Sequence, residues 1–128
     1  TERWQITDML DYHGFVAGEE KCRLFTFGDV YVLPSYFEGM PISILEAMSY
    51  GMPILASRAG SIPEIIAEGV TGRLIDAGDI DGIATAIQWF IDHPEARATM
   101  SHAAEEMSKK YFPENIEREL TELYSRYL

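Results

Sequence analysis

One turn constrains the fold of this chain more than any other segment. A predicted strand at 29–33, apolar from Val30 onward, passes through Pro34 into a turn that contains Gly39 and Pro41, and an apolar helix follows from Ile42. Pro41 has a fixed φ and no N–H, so the helix has to begin close to Ile42. A strand that leads through a glycine-bearing turn into a helix N-terminus is typical of α/β proteins that bind an anionic ligand.

Two carboxylates, Glu38 and Glu46, lie on either side of this turn. Ionised carboxylates only accept hydrogen bonds, so the pair indicates a ligand that carries hydroxyl groups. Between them, the amides of Met40, Ile42 and Ser43 are predicted to be unpaired donors that, with the helix dipole, would stabilise a phosphate. The structural alternative is that acids favour helix N-termini in general and that Glu46 is a partly buried, paired side chain.

Apolar runs that alternate with amphipathic segments predict an α/β fold, a partial Rossmann-like parallel sheet with flanking helices. Strands separated by helices imply βαβ units with right-handed crossovers. The predicted strands are 11–16, 29–33, 53–56 and 72–75, and the predicted helices are 18–27, 42–50, 62–67, 80–91, 95–111 and 113–128.

The helical segments carry recognisable caps and apolar faces. Gly51 is expected to end helix 42–50 in the left-handed conformation, and Asp79 is expected to cap helix 80–91. The predicted buried face of helix 80–91 consists of Ile80, Ile83, Ala84, Ile87 and Phe90. The last helix has a stripe formed by Ile116, Leu120, Leu123, Tyr124 and Tyr127.

Composition excludes several classes of partner. The chain has 128 residues, which suits one domain, and its formal charge of −11 argues against nucleic acid or an anionic membrane surface. The single cysteine, Cys22, excludes an internal disulfide and favours a reducing compartment. No apolar run approaches the roughly 18 residues of a membrane span. A cytoplasmic location is expected, and any peripheral attachment to a membrane would be made by the N-terminal domain that precedes this segment.

Several motifs match one known family in order. The chain resembles the C-terminal domain of family 4 retaining glycosyltransferases, which have the two-domain GT-B architecture. The resemblance extends over 12–128 and is carried by DVYVLPSYFEGMPISILEAMSYGMPILAS at 29–57, GSIPEII at 60–66, EGVTGRLIDAGD at 68–79 and a closing helical pair. It implies that 1–128 is a single, incomplete domain that binds a nucleotide-sugar, and that the N-terminal acceptor domain is missing.

The resemblance also implies roles for particular residues. Glu38 would contact hydroxyls of the donor sugar near the reacting centre and is the candidate catalytic residue. Glu46 would accept hydrogen bonds from the ribose, and Val16 would contact the base. The sugar and diphosphate would be lined, through backbone atoms, by Gly39, Met40, Pro41, Ile42 and Ser43. The resemblance implies no metal and no other cofactor.

The chain departs from the family pattern at two places. Two glycines are expected before the I-P-E element, where this chain has Gly60 and Ser61, and a serine fits only if its φ is negative. An Arg and a Lys that neutralise the diphosphate are expected before Tyr12, and 1–11 lacks such a pair. The fragment is therefore expected to be inactive alone. Arg58 is interpreted as a solvated loop cation rather than a diphosphate ligand.

Other interpretations remain open at this point. A non-catalytic nucleotide-sugar-binding or scaffold domain, or a nucleotide-sugar epimerase of the same architecture, would share these motifs. Asp79, Ile80 and Asp81 have the D-x-D form of a metal site, but the positions of the two acids favour a helix cap and first turn. An open sheet edge and an unpaired last helix would favour self-association of the chain.

Overall fold

The computed structural model describes residues 7–126 and is built around a parallel sheet. Three strands, β1 (Tyr31–Leu33), β2 (Ile54–Ser57) and β3 (Gly72–Ile75), lie in the order β1-β2-β3. The helices are α1 (Gly18–Phe27), α2 (Ile42–Ser49), α3 (Ile62–Ile65), α4 (Ile80–Asp92), α5 (Pro94–Ser108) and α6 (Pro113–Ser125), with 3₁₀ turns at Thr7–Met9 and Lys109–Tyr111. The predicted α/β class, with a parallel sheet and flanking helices, is confirmed.

The central strand β2 separates two apolar layers. Ile54 and Ala56 belong to the larger cluster, which also contains residues of α2 and α3, whereas Leu55 faces the other cluster with Phe90 of α4. All four β2 residues are buried, which explains why Ile54, Leu55 and Ala56 are apolar without alternation. Parallel pairing of β2 with both neighbours brings the carboxyl ends of the three strands to one edge of the sheet.

The strand predicted at 11–16 is wrong. The segment has no regular secondary structure, Gly14 within it has a φ of +66°, and within residues 7–126 no backbone hydrogen bond joins it to β1. Tyr12 and Phe15 are 93% and 96% exposed, so the segment gains no burial from pairing. Strand propensity takes effect only where side chains pack on a sheet surface, and these side chains do not.

The remaining predicted elements are present, most of them with shifted ends. Helix 18–27 and strand 72–75 have the predicted limits. The helix predicted at 62–67 is shorter, and the one predicted at 95–111 begins at Pro94 and tightens into a 3₁₀ turn after Ser108. Gly51 follows Tyr50, the C-cap residue of α2, and has a φ of +70°, so the left-handed helix end is confirmed.

The face of α4 that contacts the core was only partly predicted. Asp79 caps the helix as expected, because its carboxylate accepts from Gly82 N–H at 2.8 Å. Ile83 and Phe90 face the core, but Ile80 and Ile87 are exposed. Ala84 is exposed too, and Ala86 is buried in its place. The helix meets the sheet and α5 through a narrower face, which is rotated toward Ala86.

The apolar stripe of α6 has no partner within residues 7–126. None of its described members belongs to either core cluster, and no residue of α6, Pro113–Ser125, is buried. The exposed fractions are between 40% and 63% for Ile116, Leu120, Leu123 and Tyr124. Tyr127, which was predicted to extend the stripe, lies outside the described residues. An apolar surface of this kind marks an interaction site.

We expect the chain to self-associate through this stripe, because a second copy would remove the exposed apolar area from water. The net charge opposes association, so the measurement is light scattering at high protein concentration in about 0.15 M salt, where the Debye length is about 8 Å. The mass should exceed that of a monomer, and Leu120→Glu should lower it. Arg118→Glu, which places the same acid elsewhere on α6, should lower it less. A strict monomer for the parental chain would contradict the expectation.

Candidate functional site

The candidate site is built on the N-terminus of α2 at the carboxyl edge of the sheet. Pro41 is the N-cap residue, with φ −75° and ψ 102°, and its carbonyl accepts from Ile44 N–H at 3.0 Å. No side chain caps the helix. Within residues 7–126, no acceptor pairs with the N–H groups of Met40, Ile42 and Ser43. Since the dipole of α2 adds partial positive charge, this turn has the chemistry of an anion site.

Glu38 lies in the loop before α2 and is partly buried. Ser35 Oγ donates to Glu38 Oε1 at 2.5 Å, so a neighbouring side chain within the same loop orients the carboxylate. A carboxylate offers about four acceptor positions, and this bond takes one of them. The group therefore keeps capacity for ligand hydroxyls and is not turned into bulk water.

Glu46 lies about one turn after the start of α2 and pairs with a lysine of α1. Lys21 Nζ is 2.6 Å from Glu46 Oε1, and the two side chains are 36% and 38% exposed. At that exposure an ion pair contributes about 0–1 kcal/mol to stability. The pairing that the structural alternative predicted is thus present, but one lysine leaves the second carboxylate oxygen able to accept hydrogen bonds.

Lys21 was missed by sequence reasoning, and no spacing rule would have found it. The partner of Glu46 is 25 residues away, on a helix whose position depends on the sheet. The same α1–α2 junction contains Tyr50 and Cys22. A hydrogen bond with Cys22, followed by desolvation and the nearby charges of Cys22 and Glu46, raises the pKa of Tyr50 above its usual value.

A second loop, at the start of α3, contacts the Glu38–Gly39 segment. A Cβ built on Gly60, whose φ is +53°, would lie 1.9 Å from the carbonyl oxygen of Glu38. Ser61 has the negative φ, −85°, that the departure from two glycines requires. Its N–H and Oγ both donate to the carbonyl of Gly39, at 3.2 Å and 2.7 Å. The position of the candidate loop is therefore fixed by backbone contact.

The other predicted site residues lie in this turn, apart from Val16. Pro41 is buried, Ser43 is half-buried, and Met40 and Ile42 are 53% and 68% exposed. Val16 is half-buried in the segment before α1, the helix that supplies the lysine partner of Glu46.

Two charged residues that the sequence offered as possible ligand contacts, one cation and one acid, have other partners. Arg58 pairs with Glu68, with Nη2 and Oε2 3.5 Å apart. Asp79 caps α4. Within residues 7–126, no group of three or more His, Cys, Asp or Glu side chains is arranged to hold a metal ion. None of the helices in this part of the chain combines the length and apolar character needed to cross a membrane.

Comparison with known proteins agrees with this architecture. The family described as glycosyl transferases group 1 matches residues 1–107. A sulfoquinovosyl transferase of Arabidopsis thaliana is 39% identical over 103 residues, which are 78% of this chain and 20% of that protein. The fold is the α/β fold of GT-B glycosyltransferases. The chain belongs to the glycosyl transferases group 1 family.

Solved structures give the same result. The chain is similar to Anabaena Alr3699/HepE in complex with UDP, with a TM-score of 0.88 and 26% identity, covering 98% of this chain and 34% of that one. The same protein has been solved with UDP-glucose and with UDP and glucose. The fold also matches the C-terminal domain of a glycosyl transferase group 1 family protein from Francisella tularensis, with a TM-score of 0.78 and 24% identity, covering 88% of this chain and 58% of that one.

These relatives are longer than this chain. The chain covers about a fifth of the plant transferase and about a third of the Anabaena protein.

The contact at Gly60 predicts a measurable difference between two glycine substitutions. Gly60→Ala and Gly69→Ala both place alanine at a positive φ, which costs about 1–2 kcal/mol. Only the Gly60 substitution also collides with the Glu38 carbonyl, because a Cβ at Gly69 meets no atom within 4 Å. Gly60→Ala should lower the free energy of unfolding by about 1–3 kcal/mol more than Gly69→Ala. Urea denaturation measures both, and equal losses would contradict the contact.

Proposed function

We propose that this chain binds the nucleotide-sugar donor of a retaining glycosyltransferase of family 4. The observation that carries the proposal is the unpaired amide turn at the start of α2, which lies between two carboxylates that keep acceptor capacity. An anionic diphosphate suits the amides, and sugar and ribose hydroxyls suit the acids. The UDP and UDP-glucose complexes of the Anabaena neighbour support this choice of ligand.

In the proposed site, different residues bind different parts of the donor. The amides of Met40, Ile42 and Ser43, with the dipole of α2, stabilise the diphosphate as it departs from the anomeric carbon. Glu38 orients the donor sugar through its hydroxyls and complements the positive charge that develops on the sugar. The backbone of Gly39 and Pro41 lines the same space.

Two further residues hold the nucleoside in this proposal. Glu46 accepts from the ribose hydroxyls with the oxygen that Lys21 leaves available. Val16 contacts the base. In this proposal, positioning and charge stabilisation supply the rate enhancement. The acceptor attacks on the face from which the diphosphate leaves, which retains the anomeric configuration.

We propose that this unit acts within a longer two-domain enzyme, which its longer relatives support. The acceptor would be bound by a preceding domain, so the chain alone should transfer no sugar. The proposed enzyme is cytoplasmic and uses no metal or other cofactor beyond its sugar donor. A non-catalytic binding or scaffold domain and a nucleotide-sugar epimerase are the competing functions, and activity of the longer protein separates them.

Binding to this chain tests the ribose contact directly. Titration with UDP-glucose, GDP-mannose and ADP-glucose by calorimetry should give saturable binding for at least one donor. Its free nucleoside diphosphate should bind about tenfold more tightly than the 2′,3′-dideoxy analogue, because hydrogen bonds to a charged acceptor contribute about 1.5–3 kcal/mol. Glu46→Ala should remove this preference. Glu114→Ala, which removes an exposed acid from the first turn of α6, should keep it. Absence of binding by the parental chain would contradict the proposed function.

Turnover tests the catalytic assignment in an enzyme that carries this domain together with its acceptor domain. Glu38→Ala and Glu46→Ala should each lower turnover tenfold or more, equivalent to about 1.4 kcal/mol or above in the barrier. Glu114→Ala serves as the control and should retain the parental rate. Parental rates in both site variants would show that the site is elsewhere.

A further inference from the structure

Two hydrogen bonds from one residue converge on the carbonyl of Gly39. Ser61 donates to it from both its N–H and its Oγ, and the side-chain bond is the shorter of the two, at 2.7 Å. Gly60 lies against the same segment, since any Cβ there would overlap the Glu38 carbonyl. The Gly39 carbonyl cannot rotate away from α3 without breaking both bonds.

The same peptide unit carries one of the candidate donor amides. Gly39 C=O and Met40 N–H lie in one plane, and no peptide bond in the described part of the chain is cis. In a trans peptide the carbonyl and the N–H point in opposite directions. Because Ser61 holds the carbonyl toward α3, the Met40 N–H points away from α3. Within residues 7–126 that N–H meets no acceptor.

We propose that Ser61 is a positioning residue for the donor site. Its hydroxyl fixes the Gly39–Met40 peptide so that the Met40 N–H donates to the sugar-diphosphate part of a bound nucleotide-sugar. This inference rests on the proposed function above. It also gives a role to the departure at this position, because the expected glycine would keep the backbone bond to Gly39 and lose the side-chain bond.

The hydroxyl can be removed without changing the backbone. Ser61→Ala keeps the N–H bond and a φ of −85° that alanine adopts readily, and it deletes only the Oγ bond. The dissociation constant for UDP-glucose should rise roughly three- to tenfold, the effect of one lost hydrogen bond. Affinity for UMP, which lacks the β-phosphate and the glucose of UDP-glucose, should change less than twofold. If the titration above selects another donor, that donor and its nucleoside monophosphate are the probes.

Two matched variants complete the test. Ser61→Thr retains a hydroxyl and should restore donor affinity. Ser125→Ala removes a similar bond, from Ser125 Oγ to the Glu122 carbonyl at 2.8 Å on α6, and should leave both affinities unchanged. A fold-stabilising role for Ser61 would weaken both ligands equally, so the difference between the two ligands is the readout that identifies positioning.

The outcomes separate this inference from the proposed function. Unchanged donor affinity in Ser61→Ala, or equal weakening of both ligands, would overturn the role of Ser61 while leaving the donor site intact. Failure of the parental chain to bind either ligand would overturn the proposed function, and the role of Ser61 with it.

Discussion

Complete burial of β2 between two apolar layers is the constraint on which the rest of the structure depends. Its alternate residues enter different clusters, so α2 and α3 are held on one side and α4 on the other. The pairing with β3 is so close that a Cβ on Gly72 would lie 2.0 Å from the Ile54 carbonyl. Once β2 is fixed between two parallel neighbours, the loops that follow β1 and β2 must meet at one edge of the sheet.

That meeting produces the candidate site. The loop after β1 carries Glu38 and Gly39, and the loop after β2 carries Gly60 and Ser61, which contact each other through their backbones. This contact adds to the Ser35–Glu38 hydrogen bond within the first loop. With it, the Glu38 carbonyl and the Gly39–Met40 peptide are held in one orientation, as a preorganised ligand site requires.

Local sequence signals predicted the part of the fold that local interactions determine. The capping carboxylate of Asp79, the left-handed Gly51 and the apolar runs of the strands gave correct element types, because each acts within a few residues. The predicted strand 11–16 failed for the opposite reason. Its apolar side chains have no packing surface in the described structure, and that information is not contained in the segment itself.

The same distinction applies to the site. The motif around α2 predicted the unpaired amides and the two acids, since all of them lie within a few residues of the start of the helix at Ile42. It did not predict the Lys21 partner of Glu46 or the Ser61 bonds to Gly39, which join elements 25 and 22 residues apart. The apolar face of α4 was misjudged in a related way. Its periodicity fixed the existence of a stripe, while the position of the sheet and α5 decided that Ala86 would be buried and Ile80 exposed.

The most direct test of the account is to locate the bound diphosphate. In a titration of the isotope-labelled chain with UDP-glucose, or with the donor that it prefers, backbone amide NMR shifts report which N–H groups the ligand meets. The account predicts that the largest changes occur at Met40, Ile42 and Ser43. Saturable binding with its largest shifts elsewhere, such as the groove between Arg73 and Thr99, and with these three amides unmoved, would contradict it.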